Sequence, residues 1–331
     1  SHDRSFLDRV TTKTWELSLG RLTAYKGNYS QYLIEKAQRM ELERAAYDNQ
    51  QAMIKQAEQF ITRFRAKSTK AKQVQSRVKQ LEKIERIELA ETEREIRFSF
   101  PPAADSGRDV LQLEGVSKQF DNRTIFREVS FTLRRGDKLA IVGVNGAGKT
   151  TLMKIMAKLE AADSGTVRQG HNVIMTYFGQ HQAQELDGQY SILVTVYHGS
   201  QDLTVTKVRS LLGAFLFSGD EVDKKVQVLS GGEKSRVALA KMLVKPANLM
   251  LLDEPTNHLD ISSQEVLQEA MAQYEGTIIV VSHNRSFVNS FVNKVLEIRD
   301  QQAVLHEGNI DEYLAIRRRL EEEAEAVVQP C

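Results

Sequence analysis

The sequence predicts an α/β domain built on an open sheet and preceded by a long helical hairpin. Three observations carry this reading. Gly143 to Thr150 fits the phosphate-loop spacing Gly-x-x-x-x-Gly-Lys-[Ser/Thr] at every fixed position. Short apolar runs at 138–142, 249–254 and 277–282 alternate with helix-period segments. No proline or glycine lies between Asn28 and Phe100. With 331 residues, 41% apolar and 27% charged, the chain has room for about two domains. Its net charge is +1, so any case for a nucleic-acid partner rests on local patches. The one cysteine, Cys331, excludes an internal disulfide framework and fits a reducing, cytoplasmic setting. No apolar run approaches the roughly 18 residues of a membrane span.

The chain opens on half of an internal repeat. Ser-His-Asp-Arg-Ser-Phe at 1–6 returns as Ser-His-Asn-Arg-Ser-Phe at 282–287. At a constant offset of 281, Lys13 meets Lys294, Glu16 meets Glu297, Gly27-Asn28 meets Gly308-Asn309 and Tyr32-Leu33 meets Tyr313-Leu314. Register kept through such punctuation indicates two copies of one domain ending. Residues 1–33 are therefore expected to be the tail of an upstream domain whose body this chain does not contain.

From Ser30 to about Arg97 the pattern is helical. Leu33, Met40, Tyr47, Ile54 and Ile61 are spaced by seven, and Val74, Val78, Leu81, Ile84 and Ile87 by four and three. Two helices of coiled-coil character are expected, with the bend between Phe64 and Gln73. Arg63, Arg65, Lys67, Lys70, Lys72, Arg77 and Lys79 form a cationic tip with no acidic residue among them. A solvated helical face is the plain alternative, but an uncompensated cluster beside a neutral remainder favours phosphate contact with an RNA partner, although the tip itself does not distinguish an RNA from a DNA backbone.

Pro101, Pro102 and the residues to 109 read as a flexible linker, followed by a β-rich segment from Leu111 to Leu133. Phe120 precedes Lys149 by 29 residues, where an aromatic could stack on a base; an ordinary core phenylalanine is the alternative. Lys138 to Val142 is a buried strand, and Leu152, Ile155, Met156 and Leu159 give the inward face of the helix after the loop. Gly143, Asn145, Gly146, Ala147, Gly148, Lys149, Thr150 and Thr151 then form a cradle for a polyphosphate. Backbone N–H groups converge only where side chains are absent, the lysine supplies a cation and the Thr150 hydroxyl a ligand for Mg²⁺.

Downstream, Leu229-Ser230-Gly231-Gly232-Glu233 opens a helix that stops before Pro246. Leu249 to Leu252 is an apolar strand ending in Asp253, placed to hold Mg²⁺, and Glu254, placed to polarise an attacking water. Ser262-x-x-Glu265 is expected to be a capping box, with Val266, Leu267, Ala270 and Met271 inward. Thr277 to Ser282 delivers His283 to the sheet edge where ligands bind.

The ordered set Gly143–Thr150, Gln180, Ser230–Glu233, Asp253-Glu254, Leu259-Asp260 and His283 resembles the ATP-binding-cassette ATPases, over residues 110–300 or so. The resemblance implies a P-loop NTPase cassette with a RecA-like core, an antiparallel β subdomain and a helical subdomain. By position it implies that Gln180 senses Mg²⁺ and γ-phosphate, Ser230 to Glu233 reach the ATP of a facing cassette, Asp260 belongs to the interdomain loop and His283 is the switch histidine. Two cassettes joined by a helical linker further resemble the ABC-F translation factors, which implies a linker tip reaching tRNA and rRNA. Asn284 departs from the first copy's Asp3, and Phe120 stands where tyrosine is frequent.

The expected organisation is a first-cassette tail at 1–33, a helical-hairpin linker at 34–100, a flexible linker at 101–109, an ATP-binding cassette at 110–318 and a charged tail at 319–331. The expected function is an ATPase acting on the ribosome, with ATP and Mg²⁺ as cofactors. Its composite sites would be completed by the missing cassette in cis or by a homodimer. The rivals are a DNA-binding ABC ATPase and the ATPase subunit of a membrane transporter.

Overall fold

The computed structural model describes residues 4–18, 20–64, 70–82, 84, 100–121, 123–179, 182–200, 203–257 and 259–328. It forms two compact units, the first reaching residue 95 and the second beginning at residue 96.

The first unit contains α1 (Arg4–Val10), β1 (Lys13–Ser18), β2 (Arg21–Lys26), α2 (Tyr29–Phe64) and α3 (Ala71–Glu82). The antiparallel hairpin β1–β2 runs from Lys13↔Lys26 to Ser18↔Arg21. Gly27 then turns the chain into α2 at φ +109°, a conformation an L side chain rarely adopts, and a Cβ there would collide with Gln31. Helix α2 runs unbroken for 36 residues because nothing in it breaks a helix. The seven-residue stripe is only partly covered: Ile54 is buried, whereas Met40 remains exposed. The bend expected after Phe64 falls largely on residues 65–69, which lie outside the described residues together with Arg65 and Lys67.

The second unit contains β3 (Asp109–Phe120), β4 (Arg123–Arg134), β5 (Lys138–Val142), α4 (Lys149–Met156), β6 (Ser164–Gln169), β7 (Met175–Phe178), α5 (Ile192–Tyr197), α6 (Val205–Ala214), α7 (Gly231–Leu243), β8 (Leu249–Asp253), α8 (Ile261–Gln273), β9 (Thr277–Val281), α9 (Arg285–Asn289), β10 (Lys294–Arg299), β11 (Gln302–Glu307) and α10 (Ile310–Val328). Six strands form the main sheet in the order β11-β10-β5-β9-β8-β7, and β4-β3-β6 form a second, antiparallel sheet. Within the main sheet only β11 is antiparallel to its neighbour.

Both faces of the main sheet are covered, so its strands read as continuous apolar runs. Met250, Leu252, Ile278 and Val280 point into a core shared with α6, α7 and α9. Leu249, Leu251, Ile279 and Val281 point the other way, onto α4 and the three-stranded sheet. The expected α/β cassette is this architecture.

Two local expectations fail. Leu159 is 63% exposed, because α4 ends at Met156 and Lys158 turns the chain at φ +59°. Ser262 and Glu265 do not cap a helix: α8 starts at Ile261 with Asp260 in the cap position, and the Ser262 hydroxyl donates to the Asp260 carboxylate. The capping box belongs to α7, where the Ser230 hydroxyl and backbone N–H both donate to Glu233 Oε2, at 2.6 and 2.8 Å.

The repeat is structural. In the first unit Glu16 accepts from Tyr25 and Tyr32, both at 3.0 Å, and pairs with Lys36 at 2.7 Å. In the second, Glu297 pairs with Arg317 at 2.8 Å and lies 3.8 Å from His306, while Arg317 also donates to Tyr313 at 3.1 Å. Each clasp ties a hairpin to the helix that follows it.

Candidate nucleotide site

Three neighbouring strands, β5, β9 and β8, end side by side, and each delivers part of the site at its C-terminal end. After β5 the chain forms the phosphate loop. Gly148 caps α4 at φ +96°, and a Cβ there would lie 2.3 Å from Cγ2 of Ile125, so only glycine fits. Gly146 also has positive φ, +80°, and a Cβ there would lie 4.0 Å from Nη2 of Arg123. Lys149 Nζ donates to the carbonyls of Gly143 and Val144 at 2.9 and 3.1 Å, which holds the ammonium against the loop. Burial lowers its pKa, and the nearby charges of Glu254 and Asp253 oppose that shift. The loop borders a cleft of about 900 Å³ that Arg123, Lys149, His283 and Arg285 also line.

After β8 come two carboxylates in different circumstances. Asp253 is 1% exposed, and neither of its oxygens has a hydrogen-bond partner among the described residues. Burial raises its pKa, with Thr150, Lys154 and Lys149 acting in the opposite direction. A buried carboxylate left unpaired is costly, and a coordinated dication beside the Thr150 hydroxyl removes that cost. The residues present therefore fit Mg²⁺. Among the described residues no cluster of three or more His, Cys, Asp or Glu side chains could hold a metal alone.

Glu254 stands one residue beyond the strand at φ +53°, sparsely populated for a non-glycine residue. Its N–H still donates to Val281 at 2.8 Å, so the main chain is held by β9 while the turn re-aims the side chain. Glu254 Oε2 accepts the N–H of His283 at 3.3 Å, and Oε1 lies 3.5 Å from His283 Nε2. The carboxylate is 8% exposed and the imidazole 66% exposed. Burial raises the Glu254 pKa, and the charge of Asp253 adds to this, while His283 and Lys149 oppose it.

Asn284 follows, and its departure from aspartate has a use: Oδ1 caps α9 through Phe287 N–H at 3.1 Å, while Nδ2 donates to Gln264 Oε1 at 2.8 Å. Gln264 in turn donates to the Leu259 carbonyl at 3.0 Å, which braces the turn before Asp260. Sequence reading passed over Gln264, since a buried amide has no signature of its own.

Phe120 ends β3 with its ring 44% exposed, so the core alternative does not hold. Ser230 and Gly231 are exposed at the start of α7, and a Cβ on Gly231 would meet nothing within 4 Å. Gln180 lies outside the described residues.

Residues 126–257 match the ABC transporter family, and residues 15–100 match a second family profile described in the same words. The chain is 40% identical over 333 residues to ABC transporter F family member 2 of Arabidopsis thaliana, covering 98% of this chain and 49% of the relative. It is 41% identical over 315 residues to the putative ATP-binding protein YdiF of Bacillus subtilis, covering 95% of this chain and 49% of the relative. For the probable ATP-binding protein YheS of Escherichia coli K12 the figures are 36% over 313 residues, 95% and 49%. Over nearly its whole length the chain is similar to members of the ABC transporter F family. It spans about half the length of these curated relatives. Its second unit carries the match to the ABC transporter family, and among the described residues no helix is long and apolar enough to cross a membrane.

Proposed function

We propose that the cassette binds ATP with Mg²⁺ and hydrolyses it when a second cassette closes over the site, and that the closure moves a basic linker tip against ribosomal tRNA or rRNA. The observation that carries the reading is the carboxylate pair at the end of β8: Asp253 buried with no hydrogen-bond partner within 3.5 Å among the described residues, Glu254 buried and aimed by an unusual backbone turn. In this reading the loop from Gly143 to Thr151 cradles the phosphates, with Lys149 on the β- and γ-phosphates and Phe120 under the base. Thr150, Asp253 and Gln180 hold Mg²⁺, which when bound neutralises charge on the phosphates.

Glu254 accepts a proton from the attacking water, and its raised pKa suits a base working nearer neutrality. His283, exposed and braced by Glu254 through its N–H, orients toward the γ-phosphate. Ser230, Gly231, Gly232 and Glu233 serve the facing cassette, with Asp260 at the joint between the two. The exposure of Ser230 and Gly231 supports this, since a signature with a role inside its own domain would be covered.

The facing cassette in cis has a seat. Phe6, Val10, Trp15 and Leu17 are exposed in the first unit, while their repeat counterparts Phe287, Phe291, Leu296 and Ile298 are buried in the second. The counterpart of β1 is β10, which pairs in parallel with β5. Among the described residues β1 pairs with β2 alone, so its other edge suits the phosphate-loop strand of another cassette body.

The basic tip, of which Arg63, Lys70, Lys72, Arg77 and Lys79 are among the described residues, supports contact with a phosphate backbone on charge alone, and the likeness to ABC-F proteins makes that backbone RNA in this reading. Co-sedimentation with ribosomes in the presence of ATP, against a DNA shift assay, on the chain joined to a first cassette tests the whole reading. DNA binding without ribosome binding would overturn it.

A further inference from the structure

Lys118 lies two residues before Phe120 on β3, in a strand position where a charged side chain has no ordinary place. It is 7% exposed. Its ammonium is fixed on three sides: the Ala161 carbonyl at 2.8 Å, Glu160 at 2.9 Å and Asp163 at 3.4 Å. All three belong to the segment that leads from α4 to β6, and α4 is the helix that begins at Lys149. Asp163 also accepts the N–H of Gln119 at 2.6 Å, which ties down the residue between Lys118 and Phe120. The fourth neighbour of the ammonium is the Phe120 ring, whose centroid is 4.9 Å away, within cation–π range.

We infer that Lys118 is a positioning residue for the nucleotide: it fastens the Phe120 ring to the far end of the phosphate-loop helix and so fixes the distance between base platform and phosphate cradle. The inference rests on the reading of Phe120 as the base platform. A ring held on one face by a fixed cation has little freedom to tilt, and its π density is drawn toward that face. The exposed face is then both oriented and electron-poor, which suits stacking by an electron-rich purine. The same lysine holds the segment after α4, so base end and phosphate end share one anchor.

The test compares ATP with inorganic tripolyphosphate, which has phosphates and no base, in binding to the cassette with Mg²⁺. Lys118→Met keeps the stem and removes the charge. It is expected to weaken ATP by about three- to tenfold and leave tripolyphosphate unchanged. In a Phe120→Ala background the loss from Lys118→Met should vanish, since the two act as a unit. Equal weakening of ATP and tripolyphosphate would show that Lys118 merely supports the fold and would overturn the inference. ATP affinity that falls in Phe120→Ala but not in Lys118→Met also overturns it, with the platform intact. Unchanged ATP affinity in Phe120→Ala instead removes the platform reading itself. If Lys118→Met does not fold, Asp163→Asn loosens the same anchor while leaving the ammonium on Ala161 and Glu160, and the same split between the two ligands decides.

Discussion

Glu254 accepts the backbone N–H of His283 at 3.3 Å, so the carboxylate one residue beyond β8 is braced by a backbone N–H two residues beyond its neighbour β9. The bond survives in an amide of the same shape, and the base does not. Glu254→Gln is therefore expected to bind ATP as the parent does and to lose turnover by about 10²–10⁴-fold. The parent's kcat should fall with acidity, and because burial raises the Glu254 pKa, that fall begins above the ordinary carboxylate range. A pH–rate profile of the parent and the residual rate of the variant check both, and equal rates would remove Glu254 as the base.

Lys149→Ala should act earlier, on binding. Without its ammonium the bound phosphates lose a charge-assisted partner in a half-buried place, and ATP affinity is expected to drop about 10- to 100-fold. Equilibrium titration with a fluorescent ATP analogue reads the loss directly; a Kd within twofold of the parent would displace the phosphate cradle from this loop.

Asp253→Asn separates stability from function. The folded pKa of Asp253 lies above its ordinary value, so the stability tied to its protonated form is complete below about pH 4 and is lost as pH rises through the folded pKa. At neutral pH the ionised side chain is a burden when no cation is bound. The variant is expected to melt about 2–6 °C higher than the parent at pH 7.5 without nucleotide, the difference closing toward pH 4, while Mg²⁺-dependent ATP affinity falls. Thermal melts across that pH range are the measurement, and a variant that melts lower at pH 7.5 would contradict the assignment.

Neutralising Arg63, Arg65, Lys67, Lys70 and Lys72 should weaken ribosome binding and flatten its salt dependence. Each phosphate contact removed takes about 0.7–0.9 from the slope of log affinity against log salt. Basal ATPase is expected to persist, and unaltered ribosome affinity would return the cluster to a solvated helical face.

In this chain alone the signature of Ser230 and the loop of Lys149 belong to one cassette, so activity through a homodimer should rise with concentration. Mixing a Lys149→Ala chain with a Ser230→Arg chain concentrates both lesions in one composite site and leaves the other intact, so activity should reappear on mixing. A rate independent of concentration from a monomer would count against the composite site.

Much of the site was legible because its chemistry leaves spacing behind: a glycine loop, two carboxylates after an apolar run, a histidine after the next strand. The errors and omissions share a cause. Ser262 and Glu265 have the right letters for a capping box, but Asp260 sits two residues earlier and takes the cap position and the serine hydroxyl. Leu159 continued the helical period, and only the turn at Lys158 shows that the helix had ended. Lys118 has no signal in the sequence, because the carboxylates that hold it are more than forty residues away. Glu254's positive φ has no sequence signal either, since it is imposed by the ladder to Val281.

The clasp between Glu16 and Lys36 bears on how force leaves the cassette. It joins β1 to the second turn of a helix 36 residues long, with Tyr25 and Tyr32 closing the same carboxylate from either side. Such a joint resists swivelling, and to that extent the hairpin and the helix act as one lever arm of about 54 Å. A cassette whose phosphate-loop strand paired with β1 would hold the short end. Turning that end by about ten degrees would sweep the basic tip through about 9 Å, more than the spacing between successive phosphates on a nucleic-acid strand, so a small closure at the nucleotide becomes a whole-residue step at the tip.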